Sequence, residues 1–266
     1  MDLESLLTGM INSRLTKKAY TAMQASERED RGMPDSTRRA FLSRMKSDSA
    51  VARMASQNME DAKAMVQVAQ DDITAIKSQF QEIQKALIEC RDTDGLTSEQ
   101  VAGYNSIIAN HQEEIKKLVA GSSFNGMSLM AENSSNDIVF KLQAGNSERE
   151  QKFVNLTNNS LATSDYIDSA NNINVTNLNI TLGSSYQAEA NTALDDVNKC
   201  IDILTGLEGR YSGDIKSLDN LRLLFEDQAD IFEDAAKRSS TESTPTSTIL
   251  SELMSSGSSS ILSGSA

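Results

Sequence analysis

The sequence has few of the residues that build large globular cores, disulfide-linked folds or metal sites. Its 266 residues include no Trp, two Pro, two Cys and one His, and aromatic residues make up only 5%. Cys90 and Cys200 are too far apart in sequence to suggest a disulfide scaffold, and with His111 they offer almost no zinc ligands. This composition suits helices packed along seams of Leu, Ile, Met and Ala rather than a large enzyme core.

Positive charge is also scarce. The formal net charge is -13 at pH 7, and Lys and Arg form no long run. A polyanion would be repelled, so we expect neither nucleic acid nor an anionic membrane surface as a partner. No apolar stretch approaches the length of a bilayer span, and the first residues lack the pattern of a cleaved signal peptide, so we also expect no membrane insertion.

Familiar catalytic and cofactor motifs are missing as well. The sequence has no P-loop, no Gly-x-Gly-x-x-Gly turn after a strand, no nucleophile elbow and no His-Glu-x-x-His helix. Its acidic pairs lack the spacing and the central Gly of a calcium loop. We therefore expect no enzyme activity, no catalytic residue, no metal site and no cofactor.

Five Asn-x-Ser/Thr triplets are present, a pattern that arises by chance in any segment rich in Asn, Ser and Thr. The triplets by themselves do not predict a modification, and any surface glycosylation would be as readily expected on Ser or Thr as on these asparagines. The triplets begin at Asn133, Asn155, Asn158, Asn174 and Asn179.

Two long stretches, one in each half of the chain, carry an apolar stripe at helical three-and-four spacing. The first helix is predicted from about residue 37 to 91 and the second from 188 to about 238. Two narrow stripes of this kind must pack on each other, so the fold class is mainly α, an elongated antiparallel bundle of long N- and C-terminal helices. Its predicted core residues are Ile73, Ile76, Phe80, Ile83, Leu87, Leu194, Val197, Leu204, Leu207, Tyr211, Leu218 and Phe225.

Between these helices the periodicity changes. Thr97 and Gln100 can cap a shorter helix, which ends before an Asn-Gly turn at residues 125 and 126. Residues 137–143 and 151–156 alternate as two strands joined by a loop that contains Gly145. A strand-like piece follows near residues 175–182, so we predict a small β-hairpin region beside the bundle.

The order of these elements resembles bacterial flagellin. Ser123–Leu129 is similar to the family's T-x-F-N-G-x-x-L signature, and residues 140–145 resemble the strand and turn that follow it. Residues 58–76 resemble the segment with Asn-x-x-Asp and Ala-Gln, and residues 193–234 resemble the C-terminal helix. The residues that carry the resemblance are Asn58, Gln70, Phe124, Asn125, Gly126, Gly145, Arg210, Glu233 and Asp234.

The resemblance implies a structural subunit that polymerises with many copies of itself into an extracellular helical filament of the bacterial flagellum. Its partners would be the flagellar export apparatus and an export chaperone, and it would leave the cell without a cleaved signal peptide. Residues 1–50 and 239–266 would form the inner layer, 51–155 and 189–238 the rod, and 156–188 a short variable surface segment. The alternatives are a hook-filament junction protein of the same family and a coiled-coil adaptor that never polymerises.

Overall fold

The computed structural model describes residues 35–131, 137–145, 147–157 and 173–240. In this part of the chain it contains three long α-helices, two two-stranded antiparallel sheets and one 3-10 turn. The mainly α fold class with a small β-hairpin region is therefore confirmed. The elements are α1 (Asp35–Asp92), α2 (Ser98–Gly121), β1 (Ser123–Phe124), β2 (Met127–Ser128), β3 (Ile138–Ala144), β4 (Ser147–Phe153), the 3-10 turn Val175–Asn177 and α3 (Tyr186–Ser240).

The chain divides into two compact units, and each contains part of α1 and part of α3. The central unit is Met59–Asn220, and the terminal unit consists of Met1–Asn58 with Leu221–Ala266. Of the terminal unit, the structure describes residues 35–58 and 221–240. Of the predicted inner-layer segments 1–50 and 239–266, residues 1–34 and 241–266 lie outside the described residues.

In the central unit α1 and α3 pair in opposite directions. Lys63 bonds Asp219, Gln70 bonds Ser212 and Gln84 bonds Asn198, so the α3 number falls as the α1 number rises. The apolar stripes meet between these polar contacts, and burying them supplies most of the favourable free energy of the pairing.

Helix α2 begins at a capping box. The Thr97 hydroxyl accepts a hydrogen bond from the Gln100 backbone N–H at 3.3 Å, and the Gln100 side chain accepts one from the Thr97 N–H at 2.9 Å. These two bonds satisfy donors that the first turn of a helix otherwise leaves unpaired. The buried face of α2 then places Val101, Ile108 and Ile115 in the core.

The hairpin β3–β4 differs from the predicted strands. Its pairing runs from Ile138 with Phe153 to Ala144 with Ser147, so the second strand covers 147–153 instead of the predicted 151–156. Gly145, at φ 63°, allows a tight connection and thereby sets the register. The inward-facing Arg149 and Gln151 alternate with the exposed Glu148, Glu150 and Lys152, and because all five are polar, hydropathy did not reveal the first half of this strand.

The predicted strand near 175–182 is also wrong, because no strand is assigned there in the described residues. Leu178 directly after the 3-10 turn is extended, and burial then alternates, with Leu178, Ile180 and Leu182 buried and Asn179 and Thr181 exposed. The alternation is that of a strand, but side chains of α2 replace the neighbouring strand. Asn105 bonds both the N–H and the carbonyl of Leu182 at 2.8 Å, and Gln112 donates to the Ile180 carbonyl at 3.3 Å.

Candidate functional site

The twelve predicted core residues are all buried. Those of α1 and most of those of α3 are fully enclosed, and the least buried, Leu207, is only 9% exposed. Eleven of them belong to the central unit, and Phe225 belongs to the terminal unit. A continuous apolar seam of this kind is a packing surface and offers no polar group for chemistry.

A polar cluster accompanies the seam where α1 and α3 pack in the central unit. The Gln70 amide donates to the Ser212 hydroxyl at 2.6 Å and to the Glu208 carbonyl at 3.3 Å. The Glu208 carboxylate accepts from the Thr74 hydroxyl at 2.9 Å and also from the Lys77 ammonium. These side chains have their partners within the cluster, so it fixes the register of the two helices.

The β3–β4 hairpin is attached to about two turns of α3. The Arg210 guanidinium donates to the Lys152 carbonyl at 2.8 Å, and the Val154 N–H donates to the Tyr211 hydroxyl at 3.3 Å. The Phe153 ring lies 5.8 Å from that of Tyr211 and makes an edge contact with Phe140 at 5.5 Å. Burial raises the pKa of Tyr211, which therefore stays a neutral phenol in this contact.

Two further side chains attach the hairpin to α3, and sequence reasoning missed all four residues involved. Gln151 donates to the Asp214 carboxylate at 2.9 Å, and Arg149 donates to the Ser217 hydroxyl at 3.3 Å. The sequence signal for this part of the strand is that Arg149 and Gln151 alternate with Glu148 and Glu150. It is hard to recognise because all four residues are polar. The hairpin thus binds α3 through polar side chains on its inner face.

The Phe124-Asn125-Gly126 turn connects β1 to β2. Asn125 has φ 50° and Gly126 has φ 78°, which are the left-handed conformations that a two-residue hairpin turn requires. Phe124 pairs with Met127 and is half-buried. The turn returns the chain so that Leu129 and Met130 enter the core, both with no exposed surface.

In the terminal unit an ion cluster links α1 to α3. Arg53 contacts Asp230 at 3.2 Å and Glu233 at 2.5 Å, and Lys237 contacts Glu233 at 2.9 Å. The bonds from Lys237 and Arg53 lower the pKa of Glu233. Since these groups are exposed, the cluster contributes specificity of pairing more than stability. Two residues of the flagellin resemblance remain: Asn58 is half-buried, and Asp234 is exposed.

Large apolar side chains are exposed in both units. Met54 is 65% exposed, Leu223 45% and Val51 39%, and all three belong to the terminal unit. The buried residues of its described part are mostly alanines, namely Ala52, Ala55, Ala229, Ala235 and Ala236. This unit therefore buries little apolar surface by itself and leaves larger side chains in water.

The described residues also bear on metal binding, membrane crossing and disulfide formation. No group of three or more His, Cys, Asp or Glu side chains there is arranged to hold a metal ion. None of the described helices combines the length and the apolar character that crossing a membrane requires. Cys90 and Cys200 are both buried and free.

Comparisons with known proteins place this architecture in a family. Residues 2–135, half of the chain, match the family described as bacterial flagellin N-terminal helical region. A search of curated proteins found no match to the chain.

Two solved structures illustrate the similarity of fold. A putative flagellar hook-associated protein from Vibrio parahaemolyticus is similar with a TM-score of 0.60 at 9% identity, over 74% of this chain and 95% of the other. Bacillus cereus flagellin is similar with a TM-score of 0.48 at 15% identity, over 63% of this chain and 87% of the other.

Proposed function

Because this chain belongs to the bacterial flagellin family, we propose that it polymerises into an extracellular filament of the flagellar type. The family match over residues 2–135 is the observation that carries the proposal. In this function the central unit is the preformed body of each subunit. The terminal unit, residues 1–58 and 221–266, supplies the contacts between copies.

Assembly is coupled to the completion of folding in this proposal. The exposed Val51, Met54 and Leu223 make the terminal unit a poor independent core, because their apolar surface stays in water. Stacking many copies buries such surface and offsets the conformational entropy that assembly costs. When one surface meets a different surface of the next copy and the rotation does not close, the product is an open helical filament.

The same proposal assigns the parts of the chain and its partners. Residues 1–50 and 239–266 form the inner layer, 51–155 with 189–238 form the rod, and 156–188 face outward. The subunit leaves the cell through the flagellar export apparatus with the help of an export chaperone, and no signal peptide is cleaved. It acts as a structural component and not as an enzyme.

Electron microscopy of the full-length protein tests the proposal. Negatively stained samples of concentrated parent protein should show filaments of uniform diameter. Met54→Lys should remain folded by circular dichroism but lose filaments, because a charge replaces the most exposed large apolar side chain in the described part of the terminal unit. Gln57→Lys is the matched control, since it adds the same charge at an exposed polar position of α1 and should polymerise normally.

Two results would contradict the proposal. A parent protein that stays monomeric at high concentration, with or without filament fragments as seeds, would indicate the non-polymerising adaptor. A protein that adds to the ends of existing flagellar filaments but does not elongate alone would indicate the hook-filament junction protein. The likeness to the hook-associated protein concerns the fold and does not choose between these functions.

A further inference from the structure

Three of the five Asn-x-Ser/Thr triplets lie in the described residues, all three of them Asn-x-Thr, and the structure separates them into two kinds. In the first kind the Asn is part of the fold. Asn155 accepts bonds from both the backbone N–H and the hydroxyl of Thr157, at 3.0 and 2.9 Å, and Asn174 does the same for Thr176, at 3.0 and 2.6 Å. Asn155 is 4% exposed and Asn174 2%, so neither amide is accessible to an enzyme.

The third triplet, Asn179-Ile180-Thr181, has no such role. Asn179 and Thr181 are exposed, while Ile180 between them is buried and anchors the segment. Among the described residues, the Asn179 Oδ1 accepts a bond only from the Thr181 hydroxyl, at 3.2 Å. Within the described part of the chain, the Asn179 Nδ2 has no hydrogen-bond partner. Nothing in the described fold therefore requires an asparagine at this position.

The backbone around Asn179 is also accessible. Ile180 and Leu182 direct their polar backbone atoms to Gln112 and Asn105 of α2. In an extended chain the atoms of alternate residues point to the opposite side, and no described residue bonds the backbone of Asn179 or Thr181. An enzyme can thus bind this tripeptide by its backbone, as extended peptides are commonly recognised.

We propose that Asn179 is a glycosylation site, at which a sugar is joined to the side-chain amide. The combination of an Asn-x-Thr triplet, an exposed extended backbone and a free Nδ2 is what such a transfer needs. A new bond joins the sugar C1 to Nδ2 while the bond between C1 and the phosphate of an activated sugar donor breaks. The phosphate leaves with the electron pair, and the amide loses one proton.

Mass spectrometry of peptides from the protein isolated from the cells that make it tests this assignment. The peptide with Asn179 should carry the added mass of one or more sugars, and the peptides with Asn155 and Asn174 should not. Asn179→Gln and Thr181→Val should each reduce modified protein by about tenfold or more, because both remove part of the triplet. Thr181→Ser keeps the hydroxyl and should retain the modification.

Two arms identify the sugar donor. Purified full-length protein is incubated with a soluble extract and a nucleotide-activated hexose, or with membranes and a lipid-linked sugar, and transfer in either arm supports the site. An unmodified Asn179 in the native protein, sugars found only on Ser or Thr, or an undiminished signal in folded Thr181→Val would each overturn the proposal. Circular dichroism of the variants confirms that they are folded.

Discussion

Two buried hydroxyl groups of the central unit differ in whether they have a hydrogen-bond partner. The Ser122 hydroxyl is buried and has no hydrogen-bond partner among the described residues, whereas the Tyr211 hydroxyl accepts the Val154 N–H at 3.3 Å. A buried polar group without a partner has lost its hydrogen bonds to water, and no hydrogen bond within the protein replaces them. Removing the hydroxyl should therefore change the free energy of unfolding in opposite directions at the two positions.

We expect Ser122→Ala to leave the free energy of unfolding unchanged or to raise it by up to about 1 kcal/mol. Tyr211→Phe should lower it by about 1 kcal/mol, because the Val154 N–H loses its acceptor. Urea unfolding followed by circular dichroism measures both values. A marked loss of stability in Ser122→Ala would mean that its hydroxyl has a partner in the folded protein.

Because the two cysteines are buried, we expect the stability of the fold to decrease at alkaline pH. Burial raises the pKa of both Cys90 and Cys200 above the ordinary value. The unfolded chain therefore releases thiol protons at a lower pH than the folded one. Stability is fully present below the unfolded pKa of about 8.5 and should fall by up to about 1.4 kcal/mol per thiol for each pH unit above it.

Urea titrations of the parent and of Cys90→Ala/Cys200→Ala at several values between about pH 7 and pH 10 check this slope. The double variant should be less stable at neutral pH but less sensitive to alkali. Native protein should also resist maleimide labelling, because both thiols are enclosed. Rapid labelling of either thiol without unfolding would contradict the burial of the seam.

At the scale of the element, α3 owes its stability to packing more than to helix propensity. Gly206, Gly209 and Gly213 lie inside it, and a Cβ added at any of them meets no atom within 4 Å. Glycine in a helix interior costs up to about 1 kcal/mol relative to alanine. The buried residues of α3, such as Leu204 and Tyr211, compensate for this cost through their contacts.

We therefore expect Gly209→Ala to raise the free energy of unfolding by about 0.5–1 kcal/mol. Gly126→Ala is the contrasting control, since its site is equally open but has φ 78°, and it should lower stability by about 1 kcal/mol or more. Thermal and urea unfolding should show that the two variants change the free energy of unfolding in opposite directions relative to the parent. Destabilisation by Gly209→Ala would show that this face of α3 is in contact with other atoms in the folded protein.

The long helices were predictable because their signal repeats over many turns. Each of the twelve predicted core residues follows the three-and-four spacing, and the capping box at Thr97 was visible as a local motif. The hairpin register was not predictable, because the half-buried Arg149 bonds Ser217 and the buried Gln151 bonds Asp214, and both partners are distant in sequence.

The extended segment at 178–182 shows a second limit. The alternation of buried and exposed side chains is present as predicted, but periodicity cannot say what the backbone bonds to. Here Asn105 and Gln112 satisfy it in place of a strand, and these amides lie seven residues apart on one face of α2. Likewise, the five Asn-x-Ser/Thr triplets look alike in sequence, and only burial distinguishes Asn179 from Asn155 and Asn174.

At the scale of the whole molecule, the net charge of -13 must influence any self-association. Copies with a large charge of one sign repel each other, and salt screens this repulsion over a Debye length of about 8 Å at physiological ionic strength. Apolar contacts such as those proposed for Met54 and Leu223 are not weakened by the same salt. We therefore expect filament growth to accelerate as the salt concentration rises from about 0.02 M to about 0.15 M.

Light scattering of seeded full-length protein measures this growth rate at each salt concentration. Asp202→Asn/Asp227→Asn removes two exposed negative charges that have no ion-pair partner among the described residues, and it should grow faster than the parent at low salt. At high salt the two proteins should converge, because screening has already removed the repulsion. If salt slowed growth instead, contacts between copies would have to depend on ion pairs, and the apolar surface of the terminal unit would not be the main source of assembly free energy.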